Sequence, residues 1–292
     1  MWVPEAYMNT PTREWLDKYG PDCGSNGYIG LCPAQRDPGR ICRTSHAAPG
    51  SNILPTLRQH AAINSIFAFG RRDFSRQDAS GSARFKPLIS SDTTQWSGLL
   101  APELKTTSGS SFVFFSALGT TRAQAGGVEA QRKIDHELPV DLAKNFVAEY
   151  SSTTQDKKSV FVLISSSGAN HKSFLAYPKL KGETEEEIKG LLKSGSNTQG
   201  LDHVVILRPG LIVGTRQDSR PAEWVLRKIA TFAGNVLGNG FKDFWAQDAD
   251  VIARAAVSAA LTCAEGQQRE KVWLLGQSDI VRLGRTEWRK SE

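Results

Sequence analysis

Tyr177 and Lys181 stand four residues apart, with Pro178 directly after the tyrosine. At helical spacing, positions i and i+4 share a face, so phenol and ammonium would lie one turn apart. Pro178 suits a first helical turn, where its missing N–H costs nothing. An ammonium beside a phenol lowers the phenol pKa from about 10. Such a phenol can pass a proton to or from a carbonyl oxygen while hydride moves at the carbon. A serine hydroxyl would hold that oxygen by hydrogen bonding. Ser166 is the candidate, with Ser165 and Ser167 as close alternatives; Tyr177 follows Ser165 by twelve residues. A surface tyrosine and lysine on a charged helix would leave the same letters, so the surrounding elements decide.

Those elements alternate. Short continuous apolar runs predict strands at Ser65–Gly70, Phe85–Ile89, Phe112–Leu118, Ser159–Ser165, His203–Leu207 and Val272–Leu275. Helices are predicted at Asn52–Ile63, Val128–Tyr150 (with a kink at Pro139), Phe174–Lys193, Ala222–Leu237 and Asp248–Cys263. Glu183, Glu185, Glu186 and Glu187 are expected to form a solvated face. Strands buried on both faces and alternating with helices indicate a parallel, doubly wound α/β sheet, with a smaller C-terminal part after about residue 209.

Ligands of such sheets sit beyond the carboxyl ends of the strands. Arg71 and Arg72 follow the first run, where an arginine accommodates a ribose 2′-phosphate; they point to NADP. Gly119 and Thr120 follow the third, and a glycine there lets backbone approach a ligand. Pro209 and Gly210 follow His203–Leu207, where a turn can shape a nicotinamide pocket.

The chain has 292 residues, 36 basic and 30 acidic, for a net charge of +6. The mean hydropathy is −0.35 and the pI about 9.2. That basic excess is diffuse; it fits an anionic cofactor or a membrane surface and argues against a nucleic-acid groove. No apolar run approaches the roughly 18–20 residues of a membrane span. Cys23, Cys32, Cys42 and Cys263, and the five histidines, show no metal-ligand spacing.

Residues 1–49 hold six prolines and no periodic apolar pattern, and read as an irregular segment ahead of a domain over 50–292. They lack a secretory h-region, and Glu5, Glu14, Asp17, Asp22 and Asp37 make a poor mitochondrial presequence.

With these residues placed, the chain resembles the atypical short-chain dehydrogenases/reductases. More closely, it is similar to the fungal "found in mitochondrial proteome, protein 52" family, related to the animal Tat-interacting oxidoreductases. The matching stretches include GSNILPTLRQH (50–60), FAFGRRDFS (67–75), SALGTTRAQAGG (116–127), VLISSSGAN (162–170), YPKLKGE (177–183), ILRPGLIVG (206–214), WAQDADVIARAAV (245–257) and VWLLGQSDIVRLGRTEW (272–288). The resemblance implies a Rossmann-like domain binding NADP, a small carbonyl or alcohol substrate, a mitochondrial transit peptide, and peripheral attachment to the cytosolic face of the mitochondrial outer membrane.

One departure matters. The family opens with a strand and a GxxGxxG phosphate loop whose last glycine matches Gly50; here Thr44–Pro49 precede it and the first two glycines are absent. Gly24, Gly27 and Gly30 repeat the spacing, but Arg71 lies 21 residues after Gly50 and 41 after Gly30, against about 20 expected. Residues 1–49 are therefore expected to replace the central first strand, as a shifted start or splice junction would do, and to leave weak nucleotide affinity. Two functions follow: an NADP-dependent oxidoreductase, or a nucleotide-sensing or interaction protein of the same fold. A third reading concerns the helix at Ala222–Leu237, whose stripe with Trp224 and Phe232 could lie in a membrane interface, although such a stripe more often faces a substrate pocket or core.

Overall fold

The structure is a computed structural model and describes residues 49–71, 74, 84–106, 111–151, 158–195, 199–213 and 246–288. The first 48 residues, Arg72 and the predicted helix at 222–237 lie outside the described residues. In chain order, α1 (Pro49–Arg58) leads to β1 (Ile66–Gly70) and β2 (Phe85–Ile89). Then come α2 (Trp96–Thr106), β3 (Ser111–Ser116), α3 (Arg122–Ala125), α4 (Val128–Arg132) and α5 (Leu138–Ser151). β4 (Lys158–Ile164), α6 (Ala176–Lys189), β5 (His203–Leu207) and β6 (Leu211–Val213) follow. The chain continues through β7 (Ala246–Asp248), α7 (Ala249–Ala264), β8 (Val272–Leu275) and α8 (Gln277–Val281).

The main sheet has four strands in the order β3-β4-β5-β8, all parallel. Its apolar runs are buried on both faces because helices cover both. On one face Phe114, Phe161, Leu163 and Ile206 meet Trp96 and Leu100 of α2, Phe146 of α5 and Ile188 of α6. On the other, Phe115, Val162, Val205 and Leu207 meet Ile53 of α1 and the alanine-rich side of α7. Complete burial of a side chain such as Phe161 stabilises the fold by roughly 1.5–3 kcal/mol.

β1 and β2 form a separate parallel pair. A cavity of 350 Å³ lies between β1 and β3. Among the described residues no strand lies between β1 and β3. β6 and β7 pair with each other, while α7 and β8 return to the main sheet.

Element boundaries mostly shift by one to four residues, but two differences have physical causes. The irregularity expected at Pro139 falls earlier, as a π-helical turn over Lys133–Glu137. Pro139 has no N–H to bond the carbonyl four residues back, that of Asp135, and its ring crowds it. Thr184 Oγ1 lies 3.3 Å from that carbonyl. Helix α2, which contains Pro102, was not expected. It is started by a short 3-10 turn in which Asp92 accepts from the Thr94 N–H at 2.9 Å, and anchored by fully buried Trp96.

Candidate active site

Helix α6 follows β4 and carries the Tyr-x-x-x-Lys pair across the carboxyl ends of β3, β4 and β5. Three contacts tie it there. Lys181 is 3% exposed and its Nζ donates to the carbonyl of Leu118, just after β3, at 3.2 Å. Ser165, just after β4, donates its hydroxyl to Glu185 Oε1 at 2.5 Å. Arg208, just after β5, donates from Nε to Glu185 Oε1 at 3.0 Å and from Nη2 to Oε2 at 2.5 Å. Tyr177, Lys181 and Glu185 recur every four residues, so one helical stripe meets three strand ends.

Glu185 corrects the solvated face expected for the glutamates. Its side chain has no exposed surface, whereas Glu183, Glu186 and Glu187 are 29%, 50% and 46% exposed. The sequence carried a signal for this: Glu185 is four residues beyond Lys181, on the same side as Leu180 and Ile188 rather than on the side of its neighbours. Arg208 is held above its ordinary pKa first by the hydrogen bond to Glu185, with burial acting against it.

Asp135, in the π-helical turn, is a second residue that sequence reasoning missed. It is fully buried, and Oδ1 accepts from the Thr120 N–H at 2.7 Å. Burial pushes its carboxyl above the usual range, with the Lys181 charge and the Thr120 N–H opposing. Burial likewise pushes the Lys181 ammonium below its usual range, with the charges of Asp135 and Glu185 opposing. The two carboxylates thus offset part of the cost of holding a cation in this interior.

The serines separate. The Ser165 hydroxyl is taken up by Glu185, while Ser166 is half-buried and Ser167 exposed on the loop beyond. Tyr177 lies 42% exposed one turn before Lys181. Thr120 does not offer its N–H to a ligand, since Asp135 uses it; its carbonyl accepts from Gln131 Nε2 at 2.9 Å. Gly119 adjoins Lys181, where an added Cβ would sit 3.7 Å from Nζ, an ordinary contact. Pro209 is buried and its carbonyl accepts from the Ser167 N–H at 2.9 Å; Gly210 is half-buried beside it. Arg71 is exposed at the end of β1, and Gly50 lies in the first turn of α1.

Gly182, next to Lys181, is the glycine that close approach requires. A Cβ there would meet the backbone N of His171 at 2.1 Å and the backbone C of Asn170 at 2.3 Å. The Asn170 N–H donates to the carbonyl of Pro178 at 2.9 Å, which clamps the loop after β4 on α6.

A family model described as HIM1 matches residues 88–236. The mitochondrial protein fmp52 of Aspergillus fumigatus is 46% identical over 238 residues, covering 80% of this chain and 93% of that protein. The chain belongs to the FMP52 family. A second FMP52 relative, the mitochondrial protein fmp52-1 of Aspergillus terreus, is 45% identical over 239 residues, covering 81% of this chain and 94% of that protein. The FMP52 fold is similar to that of a short-chain type dehydrogenase/reductase from Mycobacterium ulcerans, with a TM-score of 0.53 and 15% identity over 81% of this chain and 87% of that one. It is also similar to UDP-glucuronic acid 4-epimerase from Bacillus cereus, solved in complex with NAD. There the TM-score is 0.51 at 14% identity, over 85% of this chain and 89% of that one. At these identities the likeness is one of fold.

Proposed function

We propose that this chain is an NADP-dependent oxidoreductase acting on a small carbonyl or alcohol substrate, with residues 50–292 as its catalytic domain. The observation that carries the reading is the buried Lys181, one helical turn from Tyr177 and tied to the strand end at Leu118. An isolated surface pair would leave its lysine in water.

The polar groups at this end suit the reactive half of a dinucleotide. Ser116 Oγ, at the end of β3, and Asp135 Oδ2 are buried without a partner among the described residues. Lys181 and Tyr177 would meet the ribose next to the nicotinamide, and Pro209 and Gly210 would border the ring. Arg71, with Arg72, would face a 2′-phosphate. A bound NADPH would supply the hydride. Tyr177 would hand its phenolic proton to the substrate oxygen, or take one from an alcohol, while Ser166 donates a hydrogen bond to that oxygen. The Lys181 ammonium eases deprotonation of the phenol.

The pyrophosphate end fits less well. Gly50 stands in α1, but Pro49 supplies no N–H at the helix start and two loop glycines are missing. This favours a second reading, a nucleotide-sensing or interaction protein with little turnover. NADPH titration followed by fluorescence, with turnover on a carbonyl panel, separates the two. Tyr177→Phe is expected to abolish turnover, at least a hundredfold, while cofactor binding stays within about twofold. Unchanged turnover removes the assignment, and no binding at millimolar NADPH removes both readings.

The mitochondrial names of the relatives support a mitochondrial address. Among the described residues no helix is long and apolar enough to cross a membrane. We infer peripheral attachment to the cytosolic face of the outer membrane. Protease treatment of intact mitochondria should digest the protein, and carbonate should release it. Protection from the protease would place it elsewhere.

A further inference from the structure

We propose that the loop between β4 and α6 docks this protein on an anionic lipid surface, with Phe174 and Leu175 entering the membrane interface, an inference that rests on the peripheral attachment proposed above. Phe174 is 105% exposed and Leu175 is 69% exposed. They are the two most exposed large apolar side chains among the described residues. A value above 100% means that Phe174 stands freer of its neighbours than in an extended chain, on a convex crest. Ala176 and Tyr177 continue the exposed stretch.

The exposure is not slackness. The Asn170 N–H donates to the Pro178 carbonyl at 2.9 Å, and the Ser173 N–H donates to the Asn170 carbonyl at 3.0 Å. Asn170 Oδ1 accepts from the Lys172 N–H at 2.9 Å, and Ser173 Oγ accepts from the Leu175 N–H at 3.1 Å. The Lys179 N–H bonds the Leu175 carbonyl at 3.0 Å, which ties the crest to the first turn of α6. The backbone is held on both sides of Phe174, so little ordering is left to lose on docking.

Charge selects the surface. Residues 165–182 hold His171, Lys172, Lys179 and Lys181 and no acid. His171, Lys172 and Lys179 are exposed around the crest. The acids that reach it from α6 are already countered. Glu183 lies 3.9 Å from Lys179 but bonds Arg132 at 2.8 Å, and Glu186 lies 3.9 Å from His171 but bonds Lys189 at 2.9 Å. An aromatic ring and a leucine with lysines beside them can sink apolar groups to the acyl boundary while the cations stay among anionic headgroups. A stable protein partner would have to cover roughly 800 Å² of matching surface. Two side chains on a crest suit a bilayer instead, which closes around whatever enters it. Docking there turns the Tyr177 end of α6 toward the lipid.

Sedimentation with vesicles, without cofactor or substrate, tests this separately from turnover. The full chain should bind vesicles of equal parts phosphatidylcholine and phosphatidylserine, and bind pure phosphatidylcholine more weakly. Phe174→Asp and Leu175→Asp should each lower the partition coefficient by about tenfold or more. Lys172→Gln should lower it by about fivefold, on the anionic vesicles alone. Leu274→Ser, at an exposed apolar side chain of β8, should change neither. Because both loop side chains already lie in water, their variants should melt with the parent protein. A parent protein that ignores both vesicles overturns the proposal, and attachment to mitochondria would then run through another protein. Binding that survives both aspartate substitutions also overturns it, and places the lipid contact elsewhere in the chain. The mitochondrial address stands or falls separately, on the protease experiment.

Discussion

Glu185 and Arg208 form a two-point ion pair, Nε to Oε1 at 3.0 Å and Nη2 to Oε2 at 2.5 Å, that fastens the middle of α6 to the end of β5. The carboxylate has no solvent exposure and the arginine keeps 27% of its own. Removing one partner strands the other, so Arg208→Met, which leaves the buried Glu185 carboxylate without its guanidinium and with only the Ser165 hydroxyl bonded to it, should destabilise the protein by about 3–5 kcal/mol. Glu185→Leu should cost less, since Arg208 can still reach water. The double variant Glu185→Leu/Arg208→Met should recover much of the loss. Urea melts of all four proteins close the cycle, and additive losses would show that the pair is not coupled.

Gly182→Ala drives a methyl group into the backbone of Asn170 and His171. Backbone cannot turn aside as a side chain can. The expected cost is at the upper end of about 1–3 kcal/mol for overpacking, together with reduced turnover because α6 carries Tyr177 and Lys181. Gly119→Ala, which meets only an ordinary contact, is the matched control and should change stability little. Equal melting curves for the two variants would contradict the close approach at Gly182.

Asp135 opposes the effect of burial on Lys181. Asp135→Asn removes that charge, so the lysine should titrate at lower pH than in the parent protein. Lysine-selective NMR of the side-chain amine, followed through a pH series, reads this directly and needs no substrate. A lysine titration that stays in place would show that Asp135 serves only to hold the loop at Thr120.

Asp202 predicts an acid-sensitive contribution. Burial alone would raise its pKa, but bonds from Lys193 at 2.9 Å and from the Ser159 N–H and hydroxyl at 2.8 and 2.9 Å together lower it. A carboxylate with a depressed folded pKa stabilises the protein above its unfolded value of about 3.9, and this stability is lost as pH falls through the folded value. Asp202→Asn should therefore cost about 1–3 kcal/mol at pH 7 and flatten the fall in stability between pH 5 and lower values. Parallel losses of stability in the two proteins on acidification would refute the assignment.

Some of this molecule is legible from its residues alone. Apolar runs of five to seven residues mark β1, β4 and β5 because a strand covered on both faces has no polar side to show; β8 carries a similar run although Leu274 is 46% exposed. The spacing of Tyr177 and Lys181 marks one helical face. Helix α2 was not read from the sequence; its internal Pro102 opposes a helix locally, and the burial of Trp96 secures it.

What only the tertiary structure decided is partnership. Glu185 sits in a run of glutamates; its spacing from Leu180, Lys181 and Ile188 marks the inward side of the helix, but not which groups meet it there. That choice depends on Arg208 and Ser165 arriving from other strand ends. Asp135 meets Thr120 and Lys181 only because the turn ahead of Pro139 widens and presses it inward. Chain periodicity reports which side of an element is apolar; the identity of the charge across a buried gap depends on how distant segments pack, and no short-range pattern encodes it.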